Sequence, residues 1–352
     1  MTRNAYRLIP GNGGGFHLGR EGLDQEVSSE TFPSDSLFAA LIAAQVAREG
    51  PESTRDILES PPSLSSVFPF AGQLLLFPMP RLRVTLRDAF QPGVTKALKK
   101  LQYVSPAILT RLLQGDSMDQ WLPQNTSPLK GVLLQDGRVW IAQQESKLLP
   151  ADWHKLDEAA LKAKRIWKSQ RVPRVAIDRI SNSSQIYHVG RTTFAPGCGL
   201  WFLADLDQPQ VSLFESLLHL GDGGIGGERS AGYGAFSVEE AVPPDLPSPK
   251  RSRHVMTLSR YNPTMDEIEA GVLGDGASYE LVDVGGWLAS PEGPAQRRKR
   301  VRMIEAGSVL VAPVPVVGRI VDVCPEYDQP GAPQHPVWRS GIALTVGVTG
   351  GD

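Results

Sequence analysis

The chain has 352 residues, 41% of them hydrophobic, and a formal net charge of −2. This length and apolar content are sufficient for two domains with cores of their own. The near-neutral charge excludes a uniformly basic polyanion-binding protein. Cys198 and Cys324 match no metal or redox spacing, and neither a signal-peptide core nor a membrane-spanning apolar run occurs. We therefore expect a cytoplasmic protein without metal, cofactor or membrane contact.

The N-terminal half follows an α+β pattern. A short strand at 5–10 precedes a glycine-rich turn at 11–15 and a helix at 34–47, for which Ser34 is the expected N-cap. A buried strand at 74–77 follows. From about 80 to 170 the chain becomes more polar, with helices at 94–101 and 107–113, which indicates an insertion. Strands return at 185–193 and 200–206, ahead of an apolar helix at 211–220, and this order predicts a split βαβ sandwich.

A proline-rich segment at 242–252 is the predicted linker, because it cannot enter a sheet or helix. It separates an N-terminal domain at 1–242 from a C-terminal domain at 253–352. The second domain has predicted strands at 255–259, 279–284, 308–313 and 342–348, and Thr264 and Glu267 form a capping box. The two halves share no sequence repeat, so a duplicated fold is an architectural hypothesis.

A glycine-rich loop at 221–236 contains seven glycines. Gly221, Gly223 and Gly226 fit GxGxxG, but this loop follows a helix and enters a strand, whereas a dinucleotide site follows a strand and opens a helix. A nucleotide-binding enzyme is therefore disfavoured. Two interpretations stay open: a loop packed on a phosphodiester backbone, with Arg229 and Ser230 at its tip, or a tight helix-to-strand turn.

Basic residues concentrate in two stretches. Between 162 and 179 there are seven, with Trp167 among them and Asp178 as the single acid. This pattern favours a groove for single-stranded nucleic acid over a solvated helix face, and Trp167 is a candidate stacking platform. We expect Arg165, Lys168 and Arg171 to contact phosphates. A second cluster at 297–302 is either another basic patch or a charged hairpin tip.

Catalytic signals are weak. The six histidines are scattered, and no Ser-His-Asp set, Cys-His set or carboxylate pair is recognisable. His17 is the one candidate general base. Asp35 is predicted to interact with the dipole of the helix that it opens, while the backbone N–H groups beside it offer a phosphate site.

The sequence motifs together resemble a known family. GNGGGFHLG, SDSLFAAL, AIDRISNSSQIYHVGRTTF and GGIGGERSAGYGAF resemble the RAMP superfamily of CRISPR RNA-binding proteins. The later series LSRYNPT, YELVDVGGW, EAGSVL and HPVWRSGIALTVGV resembles the fourth subunit of the Csm effector complex of type III-A CRISPR systems. The resemblance covers nearly the whole chain apart from the insertion at about 80–170.

This resemblance implies two ferredoxin-like (RRM/RAMP) domains, with a thumb-like insertion in the first that folds over RNA. It implies a non-catalytic subunit, in antiviral defence, that binds the 5′ repeat-derived tag of the CRISPR guide RNA (crRNA). Its partners would be the large polymerase-like subunit and a backbone RAMP subunit. The alternative is a metal-independent, guide-RNA-processing endoribonuclease that uses His17, assisted by Tyr187 or a lysine.

Matching the family's motifs to this chain gives a set of RNA-binding candidates. The positions are His17, Ser34, Asp35, Ser36, Arg179, Ser183, Tyr187, Arg191, Gly223, Gly224, Gly226, Gly227, Glu228, Arg229, Ser230, Gly232 and Tyr233.

Overall fold

The computed structural model describes residues 2–11, 14–19, 26–86, 92–122, 130–178, 180, 183–206, 211–250, 252–290, 293–325 and 335–350. It is a mixed α/β structure. Within these ranges, no helix combines the length and apolar character needed to cross a bilayer.

The first part of the chain supplies four of the six described strands of the largest sheet. Its elements are β1 (Thr2–Pro10), α1 (Ser34–Glu49), α2 (Arg55–Glu59), β2 (Ser63–Leu64), β3 (Phe68–Ala71), β4 (Leu74–Leu75) and β5 (Phe77–Pro78). The single strand predicted at 74–77 is therefore divided between β4 and β5, which belong to different sheets.

The predicted insertion forms a sheet of its own. Its elements are α3 (Pro92–Lys100), β6 (Tyr103–Val104), α4 (Pro106–Leu113), β7 (Gly131–Leu134), β8 (Val139–Ala142) and α5 (Glu158–Ala163), with 3-10 turns at Gln135–Gly137, Gln143–Leu148 and Ala151–Trp153. The strand order is β5-β6-β8-β7. These strands are almost entirely buried, so the insertion is a packed layer.

The chain then returns to the first sheet through β9 (Trp167–Ile177), β10 (Ser184–Phe194), β11 (Cys198–Leu206), α6 (Val211–Gly223) and β12 (Phe236–Ala241). The sheet order is β12-β1-β11-β3-β4, antiparallel throughout, with β2 also paired to β11. Because side chains alternate along β11, Phe202 faces α1 and α6, whereas Trp201 faces the insertion.

The C-terminal half contains β13 (His254–Thr257), α7 (Met265–Glu269), β14 (Leu281–Val284), β15 (Trp287–Ser290), β16 (Gly293–Arg297), β17 (Val301–Ile304), β18 (Val309–Val311), β19 (Ile320–Asp322), β20 (Trp338–Ser340) and β21 (Thr345–Val348). The capping box of Thr264 and Glu267 is confirmed at the start of α7. Three of the four predicted strands form the sheet β18-β13-β21, whereas β14 pairs with β17. Met256, Val309 and Val346 pack in the same buried cluster as the insertion.

A buried polar junction, formed by Ser34, Asp35, Arg260, Glu305 and Arg339, joins the two halves. Asp35 is fully buried and lies 3.1 Å from the Arg260 guanidinium and 3.5 Å from that of Arg339. Arg260 also pairs with Glu305 at 3.0 Å. The Ser34 hydroxyl accepts a hydrogen bond from the Arg260 backbone N–H, while Pro33 occupies the N-cap position of α1. The prediction that Ser34 caps this helix is therefore wrong.

Candidate nucleic-acid interface

The predicted basic stretch lies mainly on a strand, so the helix-face alternative is wrong. β9 and β10 form a two-stranded hairpin in which Arg174 is opposite Tyr187, and Gln170 is opposite Arg191. Directly opposed residues share a face, and alternate residues along a strand return to that face. Arg174, Tyr187 and Arg191 consequently share one face with Lys168, which we call the loop-side face of the hairpin.

Arg171 lies on the opposite face of the hairpin. Its guanidinium pairs with Glu26 at 2.9 Å. Arg165 precedes the hairpin and pairs with Asp136 at 2.7 Å. The structure therefore does not bring Arg165 and Arg171 together with the loop-side face, which corrects the expectation that they line one groove with Lys168.

Trp167 cannot act as the predicted stacking platform. It is 3% exposed, and its ring packs edge-on against Tyr103 with a centroid separation of 5.5 Å. Trp167 is thus part of the core at the base of the hairpin. Tyr187, farther along the loop-side face, is 38% exposed and presents an aromatic ring to solvent.

The glycine-rich loop folds back on the segment that follows β1. His17 and Gly227 form a backbone bridge, and the Gly234 N–H donates to the Gly15 carbonyl at 2.9 Å. The tip is a short 3-10 turn, Arg229–Ala231, whose three residues are exposed. Glu228 enters this turn with a left-handed φ of 57°.

Internal packing accounts for several of the loop glycines. Gly226 has a φ of +83°, and a Cβ there would lie 2.4 Å from the His17 carbonyl oxygen. A Cβ on Gly224, at a φ of +76°, would lie 2.9 Å from the Tyr233 carbonyl oxygen. A Cβ on Gly227 would lie 2.6 Å from the His17 ring. These three glycines are required by the fold, whether or not RNA also contacts them.

Gly223 and Gly232 are different, because nothing lies within 4 Å of an added Cβ at either position. Gly232 still has a left-handed φ of +83°, whereas Gly223 ends α6 without one. Gly223 is therefore the position at which the loop surface can be changed with little strain.

We expect Gly226→Val to lower the free energy of unfolding by about 2–3 kcal/mol, because it combines a left-handed backbone with a close backbone contact. Gly223→Ala is the matched control, expected to change stability by less than about 0.5 kcal/mol. Denaturant unfolding of both variants measures the difference. Loss of RNA affinity in Gly226→Val, with stability equal to the control, would contradict this structural role.

Tyr233 connects the loop to the hairpin. The guanidinium carbons of Arg174 and Arg191 lie 5.4 and 5.5 Å from the centroid of its buried ring. Both distances are within the range of cation–π contacts. The Tyr233 ring therefore holds the two guanidinium groups side by side. The Arg174 Nε atom is buried and has no hydrogen-bond partner among the described residues. We name this arrangement of Arg174, Arg191 and Tyr233 the arginine–tyrosine cluster.

His17 is packed next to this cluster. The residue is 9% exposed, and its Nδ1 lies 2.8 Å from the Gly190 carbonyl oxygen. Since a carbonyl can only accept, Nδ1 carries a proton and donates this hydrogen bond. The hydrogen bond fixes the imidazole between β10 and the glycine-rich loop, which is sufficient to explain a histidine here.

The predicted site at the start of α1 is not an open surface. Ser34 and Asp35 are 3% and 0% exposed and face the C-terminal half through the polar junction. Ser36 is partly exposed, and its hydroxyl lies 3.4 Å from the Arg339 guanidinium. The start of α1 is therefore a contact between the two halves of the chain and not the predicted phosphate site, because Arg260 and Arg339 occupy the space around Asp35.

The far end of the hairpin holds two other predicted residues. Ser183 is exposed, and its carbonyl accepts a hydrogen bond from the Asp178 N–H at 2.9 Å. Arg179 lies outside the described residues. Arg174 is the residue that the sequence argument missed, since it belongs to the basic stretch but was not singled out. Residues two positions apart on a strand lie on the same face. Assignment of a strand here would therefore have placed Arg174 on one face with Val172 and Ala176.

The described part of the chain contains no group of three His, Cys, Asp or Glu residues placed to hold a metal ion. Burial raises the pKa of the Cys198 thiol to about 12, so this residue is held as the neutral thiol.

Comparison with known proteins gives consistent matches. Residues 250–348 match the CRISPR Csm4 C-terminal domain family. The curated CRISPR system protein Csm4 of Mycobacterium tuberculosis is 28% identical over 311 residues, covering 87% of this chain and 88% of that protein.

Two solved structures share the fold. A chain in the Csm3–Csm4 subcomplex of the type III-A CRISPR-Cas interference complex matches with a TM-score of 0.67 at 19% identity, covering 97% of this chain and 98% of that one. A chain of the Csm1–Csm4 cassette in complex with cA4 matches with a TM-score of 0.58 at 18% identity and full coverage of both chains.

Proposed function

Because this chain belongs to the Csm4 family of type III-A CRISPR complexes, we propose that it is the subunit that holds the 5′ repeat-derived tag of the guide RNA. The observation that carries this proposal is the arginine–tyrosine cluster beside the glycine-rich loop. It places two guanidinium groups and exposed backbone on one surface, which suits phosphate groups of a single strand.

Local charge explains how a protein with a net charge of −2 can hold a polyanion. Lys168, Arg174 and Arg191 project from the loop-side face, and Arg229 lies at the tip of the glycine-rich loop. Phosphate contacts of this kind supply affinity without reading sequence. Tyr187 adds a ring on which a base can stack. Lys168, Arg174, Tyr187, Arg191 and Arg229 are thus our proposed RNA contacts.

We also propose that the largest sheet and its two helices form a ferredoxin-like unit. β12, β1, β11 and β3 are adjacent in that order, with α1 and α6 on one face. In chain order these strands are the fourth, first, third and second, as in a ferredoxin-like βαββαβ unit. The C-terminal half, with a three-stranded sheet and the short helix α7, is proposed as a reduced second unit of this kind.

We further propose that this chain joins the large polymerase-like subunit to a backbone RAMP subunit. Support comes from solved relatives that are paired with Csm3 in one structure and with Csm1 in another. The two pairings are compatible in one complex if they use different surfaces of the Csm4 subunit. Pull-down of each recombinant partner, alone and together, tests this: the proposal expects a ternary complex, and competition between the two partners would refute it.

We also propose that this subunit is non-catalytic. The competing hypothesis is a guide-processing endoribonuclease. The hydrogen bond from His17 to Gly190 and the limited exposure of the ring favour a structural role for the imidazole. Incubation of the purified chain with a repeat-containing RNA separates the two functions: the proposal expects binding without cleavage.

His17→Ala is expected to leave target-RNA cleavage by an assembled effector complex unchanged, since no catalytic step is assigned to this subunit. Cleavage of labelled target RNA measures it, with His219→Ala on α6 as a matched control. Loss of guide maturation in His17→Ala alone, with guide binding preserved, would favour the endoribonuclease instead.

A further inference from the structure

The second basic cluster lies on a long two-stranded ribbon in the C-terminal half. β14 pairs with β17, and β15 pairs with β16. The strands are joined through Gly285 and Gly286 on one side and residues 298–300 on the other. The Arg298 N–H donates to the Gly286 carbonyl at 3.1 Å and keeps the ribbon continuous at this bend. The cluster thus occupies the middle of the ribbon.

Trp287 is the prominent feature of this ribbon. It is 55% exposed, although most described tryptophans are buried. Trp287 is directly opposite Arg297, and the Arg297 guanidinium carbon lies 5.1 Å from the centroid of the Trp287 ring. This cross-strand cation–π pair orders both side chains at the surface. The indole is therefore an ordered aromatic surface on which a planar group can stack.

The strand opposite Trp287 leads into a run of basic residues. Arg297, Arg298, Lys299 and Arg300 are consecutive in the chain. Among the described residues, no carboxylate forms an ion pair with Arg297 or Arg300, whereas Arg302 pairs with Asp283 at 2.9 Å. Tryptophan and arginine are both enriched at protein–protein interfaces, whereas lysine is depleted there. Four consecutive cations beside an exposed aromatic ring fit a polyanion with stackable bases better than a protein partner.

A groove of about 1450 Å³ lies between the N-terminal half of the chain and the base of the ribbon. Its lining includes Leu18 and Gly19, next to His17, and extends to Leu281 and Asp283 at the base of the ribbon. Its charged lining is balanced, with Arg81, Arg83, Lys99 and Arg260 as the cations and Glu30, Glu280, Asp283 and Glu305 as the anions. Its described lining includes neither Trp287 nor a residue of the arginine–tyrosine cluster, so the groove is a neighbouring feature of both sites.

We propose that Trp287, Arg297 and Arg300 form a second contact for single-stranded RNA on the C-terminal half. A base stacks on the Trp287 indole, and the two guanidinium groups bind the flanking phosphates. The inference extends the proposed function, on which its choice of RNA as ligand rests.

The test uses the full chain and a fluorescein-labelled single-stranded oligouridine, titrated at several salt concentrations. Trp287→Ala is expected to lower the affinity about tenfold, and Trp287→Phe to retain most of it, because stacking needs only a ring. The double variant Arg297→Gln/Arg300→Gln is expected to reduce the slope of log K against log salt by about 1.4. Arg55→Gln, an exposed arginine on α2, is the control and is expected to match the unaltered protein.

An affinity for oligouridine within twofold of the unaltered protein in Trp287→Ala would overturn the proposal. Loss of a partner subunit in pull-down, with unchanged oligouridine binding, would also overturn it and assign the ribbon to a protein interface. Parallel titration of Arg174→Gln/Arg191→Gln with the same oligouridine distinguishes the ribbon from the arginine–tyrosine cluster. If only that variant loses affinity, the ribbon inference fails, and if only Trp287→Ala does, the arginine–tyrosine cluster is not the RNA site.

Discussion

The double variant Arg174→Gln/Arg191→Gln is expected to bind the guide RNA at least about 100-fold more weakly than the unaltered protein. Charge-assisted hydrogen bonds are each worth about 1.5–3 kcal/mol, and two of them are removed. Glutamine keeps a polar side chain and part of the aliphatic stem at both positions, so the fold should be retained. The slope of log K against log salt should also fall by about 1.4.

Arg171→Gln is the matched control for this experiment. Arg171 lies on the same strand as Arg174, but on the opposite face, where it pairs with Glu26. An exposed ion pair contributes little to stability, so the control should fold normally and bind the guide RNA nearly as well as the unaltered protein. Equal losses of guide-RNA affinity in both variants would mean that the hairpin attracts RNA only through its overall charge. Unchanged affinity in both variants would place the RNA on another surface.

Asp35→Ala is expected to lower the free energy of unfolding by about 3–5 kcal/mol. The substitution leaves the buried guanidinium groups of Arg260 and Arg339 facing each other without their shared carboxylate. Denaturant unfolding measures the loss, and Asp35→Asn should lose less because it can still accept a hydrogen bond.

Glu52→Ala is the control, since Glu52 forms an exposed ion pair with Arg55 and should change stability by less than about 0.5 kcal/mol. A change below about 1 kcal/mol in Asp35→Ala would contradict the role of the polar junction.

Local patterns in the sequence predicted the first helix well. Leu37, Leu41 and Ala44 share one face, and Gly50 ends α1 within a few residues of the predicted limit. The cap was not predictable, because the Ser34 hydroxyl is engaged by the backbone of Arg260, which is 226 residues away in the chain. Long-range contacts of this kind leave no periodic signal.

The candidate site was predicted in outline rather than in detail. Charges occur on both faces of the hairpin, so the alternation that marks a half-buried strand is absent between Lys168 and Arg174. Assignment of a strand is needed to separate Arg174 from Arg171, and the pairing of β9 with β10 is needed to place Tyr187 and Arg191 on the face of Arg174. The glycine-rich loop was found from composition, but the need for glycine at Gly226 depends on the distant His17 carbonyl.

The most direct test of the central claim is to purify the protein from its native host and sequence the 5′ ends of the RNA that accompanies it. If the chain holds the guide-RNA tag, these ends should share one repeat-derived sequence, and Arg174→Gln/Arg191→Gln should lose this RNA while Arg171→Gln retains it. Heterogeneous 5′ ends, or equal recovery of RNA with all three proteins, would contradict the claim.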